Sequence, residues 1–189
     1  MMRPYRSDCV LLVIDVQKRI IDTIAEHNAV VNNIKALIKT CKVLGVPILL
    51  TEQKNLGGTV SEIAGVLQVP PLFSKFSFSC CGHPRLLQKL KALRRKTIIV
   101  CGIETHICVL QTVLDLLKSR YRVQIVRDAT SSHDIIDRDT AVERMKTSGA
   151  EITTSETVIF ELLERAGTEE FRKVLLIIKG RRSEKRRTP

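Results

Sequence analysis

The sequence predicts an α/β protein whose parallel, doubly wound sheet is covered by helices on both faces. Short apolar, β-branched runs alternate along the chain with longer segments of helical period. These runs are continuously apolar, which indicates strands buried on both faces of a sheet. Strands that are separated by helices pair in parallel through right-handed crossovers, so the alternation predicts three layers: helices, sheet, helices.

The first predicted strand is Cys9–Ile14, a continuous apolar run that Asp15 closes. A long amphipathic helix is predicted over 28–44, because its apolar residues fall on one helical face and Gly45 can end it. The apolar run 46–51 predicts the second strand. Together these segments form the first strand–helix–strand unit of the sheet.

A loop-rich insertion is predicted after the second strand. Residues 54–79 contain paired glycines, paired prolines and alternating serine and phenylalanine, and favour only one short helix, at 60–67. Loops of this length in a compact domain tend to carry function. A helix over 84–93, with proline at its first position, then leads back to the sheet.

The segment 97–112 organises the rest of the chain. Its β-branched run 97–101 predicts a buried strand that Gly102 ends, and Thr105 can cap a helix over 106–118. Cys108 is therefore expected in the first turn of a helix, where backbone N–H groups and the helix dipole favour a thiolate. This position suits a cysteine nucleophile, although a buried structural cysteine is the alternative.

The remaining elements continue the alternation to the end of the chain. Predicted strands and helices cover 121–126, 137–148, 150–154, 155–164 and 169–178, with a polar loop from 129 to 134. We expect one domain over 1–178, without a linker or an internal repeat. No apolar run is long enough to span a bilayer, and we expect no signal peptide before the first strand.

Composition indicates a cytoplasmic globular protein. Of the 189 residues, 44% are hydrophobic and 27% charged, as is usual for this class. The six cysteines show no C-x-x-C spacing, which favours reduced thiols over disulfides or a zinc cluster. No glycine-rich phosphate loop opens a helix after a strand, so no nucleotide cofactor is expected.

The net charge of the full sequence is +11, and basic residues concentrate at its end. We expect residues 179–189 to form a solvated, disordered tail, because the segment is highly charged and has no apolar face. Nucleic-acid binding through this tail is an alternative that we do not favour, since no aromatic residues accompany it to stack on bases.

The ends of the predicted strands bring together groups suited to thiol catalysis. Ligands of open α/β sheets bind beyond the carboxyl ends of the strands, where Asp15 and Cys108 are expected. Lys75 lies in the insertion, which can fold over the same edge. Asp15 can take the thiol proton, and a nearby ammonium favours ionised neighbours. Glu52 and Asp128 are expected to hold loops, and His106 and His133 are not expected to act as bases.

Four motifs in order resemble the isochorismatase-like cysteine hydrolase superfamily: LLVIDVQ (11–17), PILLTEQ (47–53), SKFSF (74–78) and GIETHICVLQT (102–112). Three longer segments, at 51–63, 125–145 and 153–163, resemble the subgroup called isochorismatase domain-containing proteins. The resemblance covers residues 9–178.

The resemblance implies a six-stranded, mostly parallel sheet, a homo-oligomer and a catalytic triad of Asp15, Lys75 and Cys108. It also implies a cis peptide bond between Ile103 and Glu104. The backbone N–H groups of Glu104 and Cys108 would then form an oxyanion hole.

Two departures narrow the activity that the resemblance implies. The superfamily's nicotinamidases bind metal through histidines after the second strand, but here no histidine occurs between His27 and His83. True isochorismatases lack the nucleophilic cysteine that this chain has at position 108. We therefore predict a metal-independent cysteine hydrolase that cleaves a C–N bond of a small amide-type substrate. A catalytically silent oligomeric interaction module of the same fold is the alternative. Predicted pocket residues are Gln17, Gln53, Phe76 and Phe78.

Overall fold

The computed structural model describes residues 3–67 and 72–187, with 185–187 described by backbone alone. Its strands are β1 (Cys9–Ile14), β2 (Ile48–Gln53), β3 (Leu72–Lys75), β4 (Thr97–Ile103), β5 (Arg122–Ser131) and β6 (Glu151–Thr153). All pair in parallel within one sheet, in the order β3-β2-β1-β4-β5-β6. The predicted fold class is confirmed. The strand order reverses between β1 and β4, where ligands bind in open α/β sheets.

Helices pack on both faces of this sheet. They are α1 (His27–Leu44), α2 (Ser61–Leu67), α3 (Pro84–Leu93), α4 (Leu110–Lys118), α5 (Ile135–Thr147), α6 (Ser155–Leu163) and α7 (Glu169–Arg187). One apolar core lies under α1, α2, α6 and α7, and a second lies under α3, α4 and α5. In β1, Leu11 enters the first core and Leu12 the second, so both of its faces are buried. This explains why its sequence is continuously apolar.

The predicted loop-rich insertion contains a strand that the sequence analysis missed. β3 is four residues long, lies at the edge of the sheet and pairs with β2 alone. Its sequence, LFSK, has no continuous apolar run, because an edge strand with exposed side chains does not need one. The short helix predicted in this region is present as α2.

The polar loop predicted from residue 129 was wrong at its start, because β5 continues to Ser131. The register between β4 and β5 shifts between Val100 and Gly102, and beyond this irregularity Thr130 and Ser131 pair with the end of β4. The Thr130 hydroxyl donates to the Gly102 carbonyl at 2.7 Å. Polar side chains therefore satisfy buried backbone groups here, which an apolar pattern cannot reveal.

The predicted disordered tail was also wrong for residues 179–187, which continue helix α7. The Arg181 side chain donates from Nε to Asn33 Oδ1 at 2.7 Å and from a terminal nitrogen to Glu156 at 3.0 Å. Arg182 also contacts Glu156. These contacts attach the basic end of α7 to α1 and α6. Among the described residues, no helix is both long and apolar enough to cross a membrane.

Candidate active site

Asp15 lies immediately after β1 and is held there by β2. Its backbone has φ 51°, a left-handed conformation that aspartate adopts more readily than most residues. The Asp15 N–H donates to the Thr51 carbonyl at 3.2 Å. The Thr51 hydroxyl donates to Asp15 Oδ1 at 2.7 Å. The carboxylate is 2% exposed, so its charge is balanced by protein groups rather than by bulk water.

Lys75, the last residue of β3, supplies the balancing charge. Its Nζ lies 2.6 Å from Asp15 Oδ2 and 2.8 Å from Gln53 Oε1, and the side chain is 1% exposed. The carbonyls of Phe78 and Ser77 accept from Nζ at 3.0 and 3.2 Å, and Cys108 Sγ lies 3.6 Å away. The ammonium group therefore bridges the carboxylate and the thiol.

The segment after β3 turns its backbone towards this cation. Besides the two carbonyls that accept from Lys75, the Phe76 carbonyl accepts from Gln53 Nε2 at 2.7 Å. The rings of Phe76 and Phe78 are 77% and 53% exposed. The structure therefore brings the backbone of this segment, and not its rings, to the triad.

Cys108 follows β4, which lies beside β1 on the side away from β2 and β3. The residues that precede α4 form a π-helical turn, Thr105–Val109, so Cys108 lies one turn before the α-helix that was predicted to contain it. Thr105 was predicted as the cap, but Glu104 holds that position, and the Thr105 hydroxyl bonds Thr130 at 2.9 Å. The peptide bond between Ile103 and Glu104 is cis, where the resemblance places one.

Gly102 brings the two strands of the site close together. It has φ +118° and is the register partner of Ile14, the residue before Asp15. A Cβ atom at this position would lie 2.1 Å from the Ile14 carbonyl oxygen, which no side chain can occupy. Only glycine therefore permits the approach of β4 to β1 that sets Cys108 beside Asp15.

A second buried cysteine joins the two halves of the site. Cys80 Sγ lies 3.7 Å from the Thr51 hydroxyl, and its N–H donates to Thr112 Oγ1 at 2.9 Å. The Thr112 hydroxyl donates to the Cys108 carbonyl at 2.6 Å. These contacts form a hydrogen-bonded connection from β2 to the turn that carries Cys108. No sequence signal pointed to Thr51, Cys80 or Thr112, because each is an ordinary residue of a buried strand, loop or helix.

The charge state of the site differs from the prediction. The pKa of the Cys108 thiol is raised to about 12, first by burial and then by the Asp15 carboxylate, against the opposing effect of Lys75. Burial, the largest single effect, would lower the pKa of Lys75, but the combined effects of Asp15, Cys80 and Cys108 outweigh burial, so that pKa lies above its usual value. The predicted preference for a thiolate was wrong, because the burial of Cys108 and its neighbouring carboxylate cannot be recognised from a helix start. Both shifts favour a neutral thiol beside a protonated lysine.

The predicted pocket residues have different environments. Gln17 is fully buried, and its amide bonds the backbone of Gln53 at 2.8 and 3.0 Å and the Gly57 carbonyl. Gln17 therefore holds a loop, and its place in a substrate pocket stays a prediction. Gln53 contacts Lys75 directly, whereas Phe76 and Phe78 are exposed to solvent.

The polar residues that were expected to be structural hold loops. Glu52 Oε1 accepts from the N–H and the hydroxyl of Thr59, both at 2.7 Å. Asp128 accepts from the N–H and hydroxyl of Ser155 at the start of α6. His133 lies beside the site residue Glu104, whose Oε2 accepts from the His133 N–H at 2.9 Å.

The triad is nearly closed to solvent. Cys108 is the most exposed of its three members, at 7%. A groove of about 960 Å³ lies elsewhere, at the start of α1 and α2, and none of the triad residues lines it. A molecule that reaches these three residues would therefore have to be small or enter after local opening of the loops.

Comparison with known proteins agrees with this fold. The isochorismatase domain model matches residues 9–157. The chain belongs to the isochorismatase family. Isochorismatase domain-containing protein 2A of Mus musculus is 38% identical over 173 residues, which cover 90% of this chain and 82% of the relative. The subgroup that the motifs indicated is therefore among its relatives.

Solved structures share the fold. A structure described as the MAR1 ribonuclease of Caenorhabditis elegans has a TM-score of 0.89 and 34% identity, and covers 94% of this chain and 93% of its own. The YcaC gene product of Escherichia coli, described as an octameric hydrolase of unknown specificity, has a TM-score of 0.86 and 23% identity. That alignment covers 97% of this chain and 91% of the other, and at this identity it shows the fold alone. The chain thus has the fold of an isochorismatase-family hydrolase.

Proposed function

We propose that this protein is a metal-independent cysteine hydrolase that cleaves a C–N bond of a small amide-type substrate. One observation carries the proposal: a buried ammonium, on Lys75, lies 2.6 Å from the Asp15 carboxylate and 3.6 Å from the Cys108 thiol. A carboxylate beside a neutral thiol can act as its general base, and a fixed cation stabilises the anions that form during attack.

The reaction proceeds through an acyl-enzyme. Asp15 takes the thiol proton as Cys108 Sγ attacks the carbonyl carbon, and the carbonyl oxygen becomes an oxyanion. The backbone N–H groups of Glu104 and Cys108 are the proposed donors to this oxygen. Collapse breaks the C–N bond, and Asp15 gives its proton to the leaving amine. A water molecule, deprotonated by Asp15, then attacks the thioester, which releases the acid and restores the thiol.

The raised pKa of Cys108 supports a role for Asp15 as base. A free thiolate is scarce at neutral pH when the thiol pKa is about 12, so attack requires proton transfer within the site. Lys75 remains charged throughout and compensates the negative charge that moves from carboxylate to sulfur. Each member of the triad thus has one role.

The test is hydrolysis of a panel of small primary and secondary amides, followed by release of ammonia or amine. We expect Cys108→Ala to abolish turnover while Cys81→Ala, a partly exposed thiol outside the triad, retains it. Retained turnover in Cys108→Ala would sink the mechanism. Absence of turnover across the panel, together with an unaltered thiol titration in Asp15→Asn and Lys75→Ala, would favour the silent interaction module.

Three further points belong to this proposal. A homo-oligomer is proposed because an octamer is described for a protein of the same fold. A cytoplasmic location is proposed because all six cysteines are free. A short RNA belongs in the panel, because a relative of 34% identity is described as a ribonuclease. If the protein cleaved the RNA and none of the amides, the result would favour a nucleic-acid substrate over the amide-type substrate that we propose.

A further inference from the structure

Thr51 is a fully buried residue of β2 that contacts Asp15 twice. The Thr51 carbonyl accepts from the Asp15 N–H at 3.2 Å, and the Thr51 hydroxyl donates to Asp15 Oδ1 at 2.7 Å. One bond fixes the backbone of Asp15 and the other fixes its side chain. β2 therefore determines both the backbone position of Asp15 and the direction of its side chain.

The direction of the hydroxyl hydrogen follows from its other neighbour. Cys80 Sγ lies 3.7 Å from Thr51 Oγ1, and burial raises the pKa of the Cys80 thiol to about 12. The Cys80 thiol is therefore protonated and can donate a hydrogen bond to Thr51 Oγ1. The Thr51 hydroxyl in turn donates a hydrogen bond to Asp15. Lys75 occupies the other carboxylate oxygen. With one donor on each oxygen, the plane of the carboxylate is fixed.

We propose that Thr51 is a positioning residue of the triad, whose hydroxyl orients the Asp15 carboxylate and disperses its charge beside the Cys108 thiol. This inference rests on the proposed function, because it concerns the group that takes the thiol proton there. Thr51 acts through Asp15 and does not contact the sulfur that reacts.

The consequence for Cys108 has a definite sign. Among the described residues, the titratable groups coupled to Asp15 are Lys75 at the end of β3, Cys80 in the turn before α3, and Cys108. Loss of the Thr51 donor leaves Lys75 in place and concentrates negative charge on the carboxylate. The Cys108 thiol then holds its proton more tightly and ionises at higher pH.

The experiment measures alkylation of Cys108 by iodoacetamide from pH 6 to pH 10 on the full chain, with the modified peptide identified by mass. We expect Thr51→Val to slow alkylation at pH 9 by about threefold to tenfold, the effect of losing one typical hydrogen bond. Thr51→Ser keeps the hydroxyl and should stay near the wild-type rate. Thr51→Ala is measured as well, in case the valine variant does not fold.

Thr40→Val is the matched control. Thr40 is also fully buried, and its hydroxyl has no hydrogen-bond partner among the described residues. Its loss should leave Cys108 alkylation unchanged. In the Asp15→Asn background, Thr51→Val should have no further effect, because the carboxylate through which it acts is absent.

A hydroxyl-free variant at position 51 that reacts at the same rate as Thr40→Val, or faster than wild type, would overturn the inference. So would an equal effect of Thr51→Val with and without Asp15, because that would indicate a general structural role. If Asp15→Asn and Lys75→Met leave the titration of Cys108 unmoved, the proposed triad itself fails, and this outcome is separate from the result at Thr51.

Discussion

Asp15 and Asp128 lie near the carboxyl ends of β1 and β5 and have closely similar partners. Each carboxylate accepts a hydrogen bond from a hydroxyl group at 2.7 Å, from Thr51 in one case and Ser155 in the other. Each faces a cation as well. By its list of partners alone, neither aspartate is distinguished as the reactive one.

The two cations are also arranged alike. Lys75 bonds the amide oxygen of Gln53 at 2.8 Å, and Arg181 bonds that of Asn33 at 2.7 Å. Lys75 approaches its carboxylate to 2.6 Å, however, whereas Arg181 lies 3.6 Å from Asp128. Arg181 also shares its charge with Glu156 at 3.0 Å.

Burial and a thiol separate the two clusters. The side chains of Lys75 and Asp15 are 1% and 2% exposed, whereas those of Arg181 and Asp128 are 10% and 31% exposed. Cys108 faces the first cluster. The same polar groups therefore attach a helix where water reaches them, and surround a thiol where water is excluded.

The largest contrast is expected from Asp15→Asn against Asp128→Asn. Removing the charge of Asp15 lowers the pKa of Cys108, because the Asp15 carboxylate raises that pKa in the wild type. Lys75 remains in the variant and stabilises the thiolate. We expect alkylation of Cys108 at pH 7 to accelerate by about 10- to 1,000-fold, while hydrolysis is lost for want of a base. Asp128→Asn should change neither. Equal alkylation rates in the two variants would contradict the comparison, and iodoacetamide kinetics measure them.

A smaller contrast is expected in stability, between Lys75→Met and Arg181→Met. Removing Lys75 leaves a buried carboxylate without its cation, which costs about 3–5 kcal/mol of unfolding free energy. Removing Arg181 leaves partly hydrated partners, and we expect a loss of about 1–2 kcal/mol. Urea unfolding followed by circular dichroism gives both values. A loss for Arg181→Met as large as that for Lys75→Met would mean that burial does not distinguish the clusters.

The smallest effect is expected in the loss of folding stability at acidic pH. Hydrogen bonding to Arg182, with Arg181 nearby, lowers the folded-state pKa of Glu156 below its ordinary value of 4.5. A lowered carboxyl pKa contributes stability that is present above the unfolded pKa and is lost as pH falls through the folded one. Between pH 6 and pH 3, the wild type should therefore lose more stability than Glu156→Gln. Thermal unfolding at stepped pH tests this, and parallel curves for the two proteins would contradict it.

Continuous apolar runs sufficed to predict β1 and β4, and with them the positions of Asp15 and Cys108, because strands buried on both faces have no polar alternation. β3 escaped prediction because an edge strand of four residues carries little of that signal. Lys75 was placed at the sheet edge by motif and charge, without knowledge of the strand that holds it.

Burial of polar groups accounts for the other failures. The basic end of α7 has the composition of a tail, yet Arg181 finds carboxylates that are distant in sequence. The direction of the Cys108 pKa depends on how deeply the sulfur lies and on the orientation of Asp15. The proposed role of Thr51 depends on the β1–β2 register. None of these follows from local pattern, since each is set by tertiary contacts.

The site also requires a residue without a side chain at Gly102, and a list of reactive groups does not include this requirement. A methyl group there would act as a wedge between β1 and β4, the two strands that present Asp15 and Cys108. A related chain could retain aspartate, lysine and cysteine in their motifs and still hold them out of reach of one another. Recognising an active member of this family therefore means checking for a missing side chain as well as for the three that are present.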